Sequence, residues 1–364
     1  FSLAYSHGNP PTRRVQANGY LSDPFPINSG VAQGCPNSPL LFLLVTEVIS
    51  RLIAQDPDYK GITVAGRQHK ISQFADDSTF ILTLGDEPRL EYHIGTWCGA
   101  TRMSENHDKR EGQLIGRLNT PAGRRRAPQL VPVWLEDGKS ARVLGVPMGN
   151  GFNETEWWLA RYRVVKGRVS AWKASGQLSL VGRNMLYQSY YLGSFRFWLF
   201  SLVLPVRVLK LIEEDGKELL RASSPDLRSN EEGTEKASRR FINEKASYRP
   251  RKDGGASLMY VPAHFEAFYA QWGIQYLDPR EAPWKSVLDV WVANHYHIGR
   301  GVLLAHARAT DRIWHEIPKQ ARYARRCIKA FEDLRVKATH PKEISPDSLA
   351  LPLFNADLFD ITLP

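Results

Sequence analysis

Cysteine is scarce in this chain. Cys35, Cys98 and Cys327 are the only three in 364 residues, far apart and odd in number. That excludes a disulfide framework and a cysteine-rich zinc cluster, and it favours a reducing compartment. No Cys-His knuckle is present. No secretory signal pattern is visible, and no internal repeat. The one long apolar run, YYLGSFRFWLFSLVLPV, carries Arg196 near its middle and Pro205 at its end. It is marginal in length for a membrane span and reads as a buried helix. The expected location is intracellular, nucleus or cytoplasm, with no membrane partner. The chain opens with Phe1 inside a helix-like phrase, which reads as a piece of something longer.

Positive charge is abundant. Forty-eight Lys and Arg stand against 38 Asp and Glu, a net charge of +10. A basic excess spread along the length favours a polyanionic partner, nucleic acid before membrane. A length of 364 residues allows two or three domains.

Along the chain, Arg13 to Ile27 reads as a strand pair turning at Asn18-Gly19, a strong hairpin signal. In GVAQGCPNSPLLFLLVTEVISRLI, Ser38 suits an N-cap and Pro39 a first helical residue. The helix from Leu40 to Ile53 is apolar nearly all round, which predicts burial. Gly34, lacking a side chain, lets a ligand approach the backbone closely. Leu90 to Cys98 reads as an amphipathic helix, GRRRAP as an exposed basic loop, and RVLGVPMG as a short apolar strand ending in a glycine turn. Beyond Gly149 the pattern turns helical. Asn153 with Glu156 resembles a capping box. Trp158, Tyr162, Val165, Val169 and Trp172 share one helix face, and further helices follow Ser179 and Pro205. Residues 223–255 read as a polar linker or loop. His295, His297, His306 and His315 lack the spacing of a metal site.

The stretch HKISQFADDSTFIL, residues 69–82, stands apart. Two strand-like runs flank Asp76 and Asp77, so a hairpin with an Asp-Asp apex is expected. Adjacent carboxylates repel, and a hard divalent cation would relieve the repulsion. An ordinary solvated acidic turn is the plainer alternative.

The order of these segments resembles the palm and thumb of reverse transcriptases, specifically those of non-LTR (LINE-like) retrotransposons. GVAQGCPNSPLLF resembles the second palm motif, FADD the third, DK within MSENHDKREGQLIG the fourth and RVLGVPMG the fifth. The likeness covers roughly residues 1–275. It implies an α+β chain: a partial palm of antiparallel sheet and helices over 1–150, a helical thumb over 151–222, a linker over 223–255 and a helical C-terminal region over 256–364. It implies RNA-directed DNA polymerase chemistry by two-metal phosphoryl transfer, using Mg2+ with Mn2+ as an alternative. Its partners would be an RNA template, a DNA primer and deoxynucleoside triphosphates. Asp76 and Asp77 would be the metal ligands, and Lys109 would lie close to the triphosphate. Gln33, Gly34, Ser38, Pro39 and Phe74 would border nucleotide and template. Leu144 and Gly145 would grip the primer. The family's first palm motif supplies another metal-binding aspartate, and the sequence before Gly30 is too short to hold it. Asp23 matches the segment just ahead of the Gln33-Gly34 loop instead. The expectation is therefore a fragment of a polymerase that does not polymerise alone. A non-catalytic nucleic-acid-binding remnant is the alternative.

Overall fold

The computed structural model describes residues 12–27, 30, 34–127, 130–175, 178–221, 247–293, 300, 303 and 312–333, with short strands at 337–338 and 359–360. The fold is α+β, 53% helix and 12% strand among the described residues, so helix packing dominates its core. It divides into two compact units, residues 1–136 and 137–364. The segment expected as palm, 1–150, spans that division.

In the first unit, β1 (Thr12–Arg13) pairs antiparallel with β4 (Phe25–Pro26), and β2 (Gln16–Ala17) with β3 (Tyr20–Leu21). Asn18 and Gly19, with φ of 51° and 85°, form the expected turn, the pattern of a type I′ loop. Helix α1 (Ser38–Gln55) then packs on α2 (Glu87–Thr101) through Ile49, Ile53, Leu90 and Ile94. Trp97 Nε1 donates to the Val45 carbonyl at 2.9 Å. Two hairpins lie between these helices: β5 (Ile62–Val64) with β6 (Arg67–His69), and β7 (Ile71–Phe74) with β8 (Asp77–Phe80). Beyond α2, β9 (Glu111–Gly112) pairs with β10 (Val133–Trp134) in parallel, around a short helix α3 (Pro121–Arg125).

The second unit opens with the hairpin β11 (Ala141–Val143) and β12 (Val146–Met148). Helices follow: α4 (Glu154–Ser175), α5 (Leu180–Met185), a wide helical segment at Leu186–Leu192 leading into α6 (Gly193–Leu199), and α7 (Val206–Arg221). Then come α8 (Val261–Leu277), α9 (Pro283–Asp289) and α10 (Arg322–Asp333). The expected face of α4 is the buried one, with Trp158, Tyr162, Val165 and Val169 in the core; the side chain of Trp172 is outside the described residues. Asn153 Oδ1 accepts the Glu156 N–H at 3.1 Å, half of the expected capping box. The apolar run around Arg196 is a buried helix, as expected, with Tyr191, Leu192, Phe195 and Leu199 in the core. Gly273 on α8 lets α10 approach, since a Cβ there would meet Phe331 Cβ at 2.5 Å. Most of the 223–255 segment, and His295, His297 and His306, lie outside the described residues. Its end does not: Leu258 N–H donates to the Ser247 carbonyl at 2.9 Å, and Asn184 Nδ2 to the Ala256 carbonyl at 2.8 Å.

The expected antiparallel pairing is present as two-stranded ribbons, and β9–β10 is a parallel pair. Two expectations need correction. Helix α1 is not enclosed: Leu40, Leu43, Leu44 and Val48 are exposed, Leu44 by 69%. Its apolar residues surround the axis, while α2 and β7 cover only one side. Among the described residues it is the one helix long and apolar enough to cross a membrane, by length and composition. GRRRAP is not a loop throughout, because a capped helical turn, α3, leads into it.

Candidate functional site

The acidic hairpin is held against α1 at its base. Buried Lys70 donates to the Ala54 carbonyl at 3.2 Å and the Asp56 carbonyl at 2.7 Å. These are terminal carbonyls of α1, which need donors from outside the helix. Three residues further along the chain and one turn back along α1, the Ser50 hydroxyl donates to Gln73 Oε1. Strand periodicity then sorts the side chains. Ile71 and Phe80 are cross-strand partners and both pack with the α1–α2 core, and Gln73 pairs with Ser78 on the same face. Ser72, Phe74, Asp77 and Thr79 form the opposite face, all exposed, Phe74 by 67%.

The register corrects the expected apex. Phe74 pairs with Asp77, so the two-residue loop is Ala75-Asp76. Ala75 has φ 53°, the left-handed value that a tight loop of this kind imposes. Asp76 is thus at the tip and Asp77 is the first residue of β8. Both carboxylates are exposed.

The hairpin also has a direction. Lys70 meets the last turn of α1 and Gln73 meets Ser50, one turn back, so β7 runs antiparallel to the helix. At roughly 3.3 Å per strand residue and about 1.5 Å per helical residue, the tip points toward the start of α1. The Gly34–Asn37 loop lies at that end. Gly34 has φ 86°. The Ser38 N–H donates to the Cys35 carbonyl at 3.1 Å. Asn37, not Ser38, holds the N-cap position, and its side chain makes no cap bond. Ser38 and Pro39 are the first helical residues. Gln33 lies outside the described residues.

Lys109 closes a tight turn, His107–Lys109, and is exposed. Next to it, Arg110 is bound by Glu105 and by Glu91 of α2, and donates to the Leu130 carbonyl at 3.0 Å. Arg110 therefore fixes the turn that carries Lys109. No hydrogen bond or ion pair joins Lys109 to the two aspartates. Leu144 and Gly145 belong to the second unit. They are the loop of the β11–β12 hairpin, with φ of 48° and 84°, and not part of a strand as expected. Trp198 Nε1 donates to the Gly145 carbonyl at 3.2 Å, and Phe197 packs over the glycine.

Two buried acids were not legible in the sequence as functional or structural groups. Asp56 accepts from Arg89 Nε at 2.8 Å, from the Asp58 N–H at 2.8 Å and sits 2.6 Å from His93 Nε2. The Arg89 guanidinium foremost, then His93, holds its carboxyl well below the ordinary aspartate range. Asp86 is buried, which would raise its pKa, but N–H donors from Lys60, Thr83 and Gly61 outweigh burial and lower it. Both acids are consumed in fixing α1, α2 and the intervening turns. Asp76 and Asp77 are the carboxylates left facing outward on the hairpin.

Among the described residues, no three His, Cys, Asp or Glu side chains gather into a metal-binding group. The two aspartates nonetheless offer what magnesium accepts: hard oxygen ligands from one or two carboxylates, completed by phosphates and water. A search against protein-family models finds no match.

Proposed function

We propose that this chain carries the metal-binding part of the palm and the thumb of an RNA-directed DNA polymerase of the non-LTR retrotransposon type. The observation that carries the reading is the hairpin that holds Phe74 and Asp77 on one solvent face with Asp76 at its tip. It directs that tip toward the Gly34 loop, and the two motifs are those the resemblance brings together.

In this reading Asp76 and Asp77 hold Mg2+, or Mn2+, together with the triphosphate of an incoming deoxynucleotide. When bound, the ion neutralises phosphate charge and lowers the pKa of a primer hydroxyl. The rest of the work is positioning and charge. Gln33 and Gly34 leave backbone room for the nucleotide and template base, at the start of a helix opened by Ser38 and Pro39. Lys109 adds positive charge toward the leaving pyrophosphate. Leu144 and Gly145 support the primer. The basic face of α4, with exposed Arg161, Arg163 and Arg168, holds RNA–DNA duplex through its phosphates, independent of sequence. Catalysis needs a further carboxylate beyond this pair, so the decisive test reads nucleotide binding before turnover.

Mn2+ binding followed by electron paramagnetic resonance, with deoxynucleotide and an RNA–DNA template-primer, should show an ion held only when nucleotide is present. Asp76→Asn and Asp77→Asn should each abolish it. Ion binding unchanged in both variants would sink the proposal. Because the described residues supply only two acids near the tip, a second reading stands beside the first: a nucleic-acid-binding remnant without catalysis. Duplex binding with no nucleotide-dependent ion would select it.

A further inference from the structure

The segment between β9 and β10 has a peculiar charge. From Gly112 to Leu135 it contains Arg117, Arg124, Arg125 and Arg126, and no Asp, Glu or Lys. It is a closed excursion with a fixed base. The Leu135 N–H donates to the Gly112 carbonyl at 2.8 Å, and Gly112 is packed so tightly on Trp134 that a Cβ would lie 2.8 Å from the ring. Leu114 is buried just inside the base, and the Arg110 bond to the Leu130 carbonyl ties the returning strand to the α2 side.

The arginine turn itself is preformed. Thr120 caps α3, its Oγ1 accepting the Gly123 N–H at 3.1 Å. Gly123 is required, because a Cβ would meet the Leu118 carbonyl oxygen at 2.1 Å. Arg124 donates to Asn119 Oδ1 at 3.3 Å, and the Arg126 N–H to the Gly123 carbonyl at 3.0 Å. Arg117, Arg125 and Arg126 are exposed. Among the described residues their side chains have no ion-pair or hydrogen-bond partner. By contrast, Arg89 is paired with Asp56, Arg110 with Glu91, Arg300 with Asp289 and Arg326 with Glu266.

We infer that Arg117, Arg125 and Arg126 form a phosphate-binding surface for the backbone of a nucleic-acid duplex, separate from the acidic hairpin. The hydrogen-bonded turn that carries these guanidiniums needs no further ordering, so binding costs side-chain freedom and not backbone freedom. Each presents the planar fork that suits phosphate oxygens. No acid within the excursion competes. The surface lies outside every motif on which the polymerase reading rests, so it stands whether or not that reading does.

The test is binding of a short RNA duplex to the full chain across a salt series. Arg117→Gln, Arg125→Gln and Arg126→Gln are combined in one variant, leaving Arg124 in place because it braces the turn. Binding should weaken by roughly tenfold at low salt, and the log–log salt slope should flatten by about 2 to 3, near one phosphate per arginine. Circular dichroism should be unchanged. Parent-level Mn2+–nucleotide binding in the arginine variant would separate this surface from the proposed centre. An unchanged affinity and slope in the triple variant would overturn the inference. So would loss of binding to phosphatidylserine vesicles with RNA binding intact, which would assign the surface to a membrane.

Discussion

Replacing Asp56 with Asn should loosen the first unit. The side chain is 2% exposed and holds three partners at once. Asn keeps the volume and can still accept from the Asp58 N–H. It loses the charge that makes the bonds to Arg89 and His93 strong. Removing one partner of a buried ion pair typically costs about 3–5 kcal/mol. Arg89 is 41% exposed and can recover water, which discounts its share, so a loss of about 2–3 kcal/mol is expected for Asp56→Asn. The assay is hydrogen exchange by mass spectrometry, read on peptides from α1 and α2. Their amides should exchange roughly 30- to 150-fold faster, while peptides from α8 and α10 stay unchanged. The pH dependence has a definite sign. Folded Asp56 stays ionised below the ordinary value of 3.8, where the unfolded chain already binds a proton. Its contribution is therefore complete above about pH 4 and declines as pH falls further. Urea melts should lose less stability between pH 6 and pH 3 in the variant than in the parent. Less than a threefold change in exchange, or identical acid sensitivity, would refute the assignment of Asp56 as the clamp between α1 and α2.

Other outcomes follow from single contacts. Leu144→Asn should stabilise the β11–β12 hairpin by about 1 kcal/mol, because Leu at φ 48° pays a left-handed penalty that Asn largely avoids; an unchanged or lower melting temperature would count against it. Gly273→Ala should lower the melting temperature by about 2–6 °C, since overlap with Phe331 outweighs the gain in helix propensity; a rise would show that α10 can yield. Iodoacetamide should label Cys35 early. The Asn37 N–H and Ser38 lower its thiol pKa, whereas burial pushes Cys327 up to about 12 and protects it until denaturation. Peptide mapping that finds Cys327 labelled as fast as Cys35 would contradict that order.

What could be read in advance divides along physical lines. Asn18-Gly19 was legible because few dipeptides accept two positive φ values, so the residue pair itself names the turn. The buried face of α4 was legible because three- and four-residue spacing is a property of the helix alone. The exposure of α1 was not. Leucines on every side state how much cover a helix calls for, and nothing in Leu40, Leu43 or Leu44 says which neighbour supplies it. The Asp56–Arg89–His93 cluster was equally invisible, since Asp56 follows the end of α1, Arg89 and His93 lie on α2, and they meet only by packing.

The position of the two aspartates shows most clearly where local reading stops. A loop at Asp76-Asp77 would have set Phe80 across from Gln73, an aromatic ring against the amide that Ser50 binds. The observed register sets Phe80 across from Ile71, so that both apolar groups meet the α1–α2 core and Gln73 faces Ser78. Register follows the buried face rather than the preference of the loop. The cost falls on Ala75, which takes a positive φ that alanine resists. The consequence falls on the acids: Asp76 occupies the tip, outside the strand pairing, and Asp77 is fixed by strand pairing beside Phe74. Of the two, Asp77 is the better positioned by the protein and Asp76 the freer to follow a ligand. Asp77→Asn should therefore leave the tip conformation intact and remove a fixed charge, whereas Asp76→Gly should add backbone freedom at the tip. In the Mn2+–nucleotide assay both lose binding. Only Asp76→Gly should also alter amide exchange at Ala75 and Ser78, and equal effects on exchange would argue that the tip is not the mobile half of the pair.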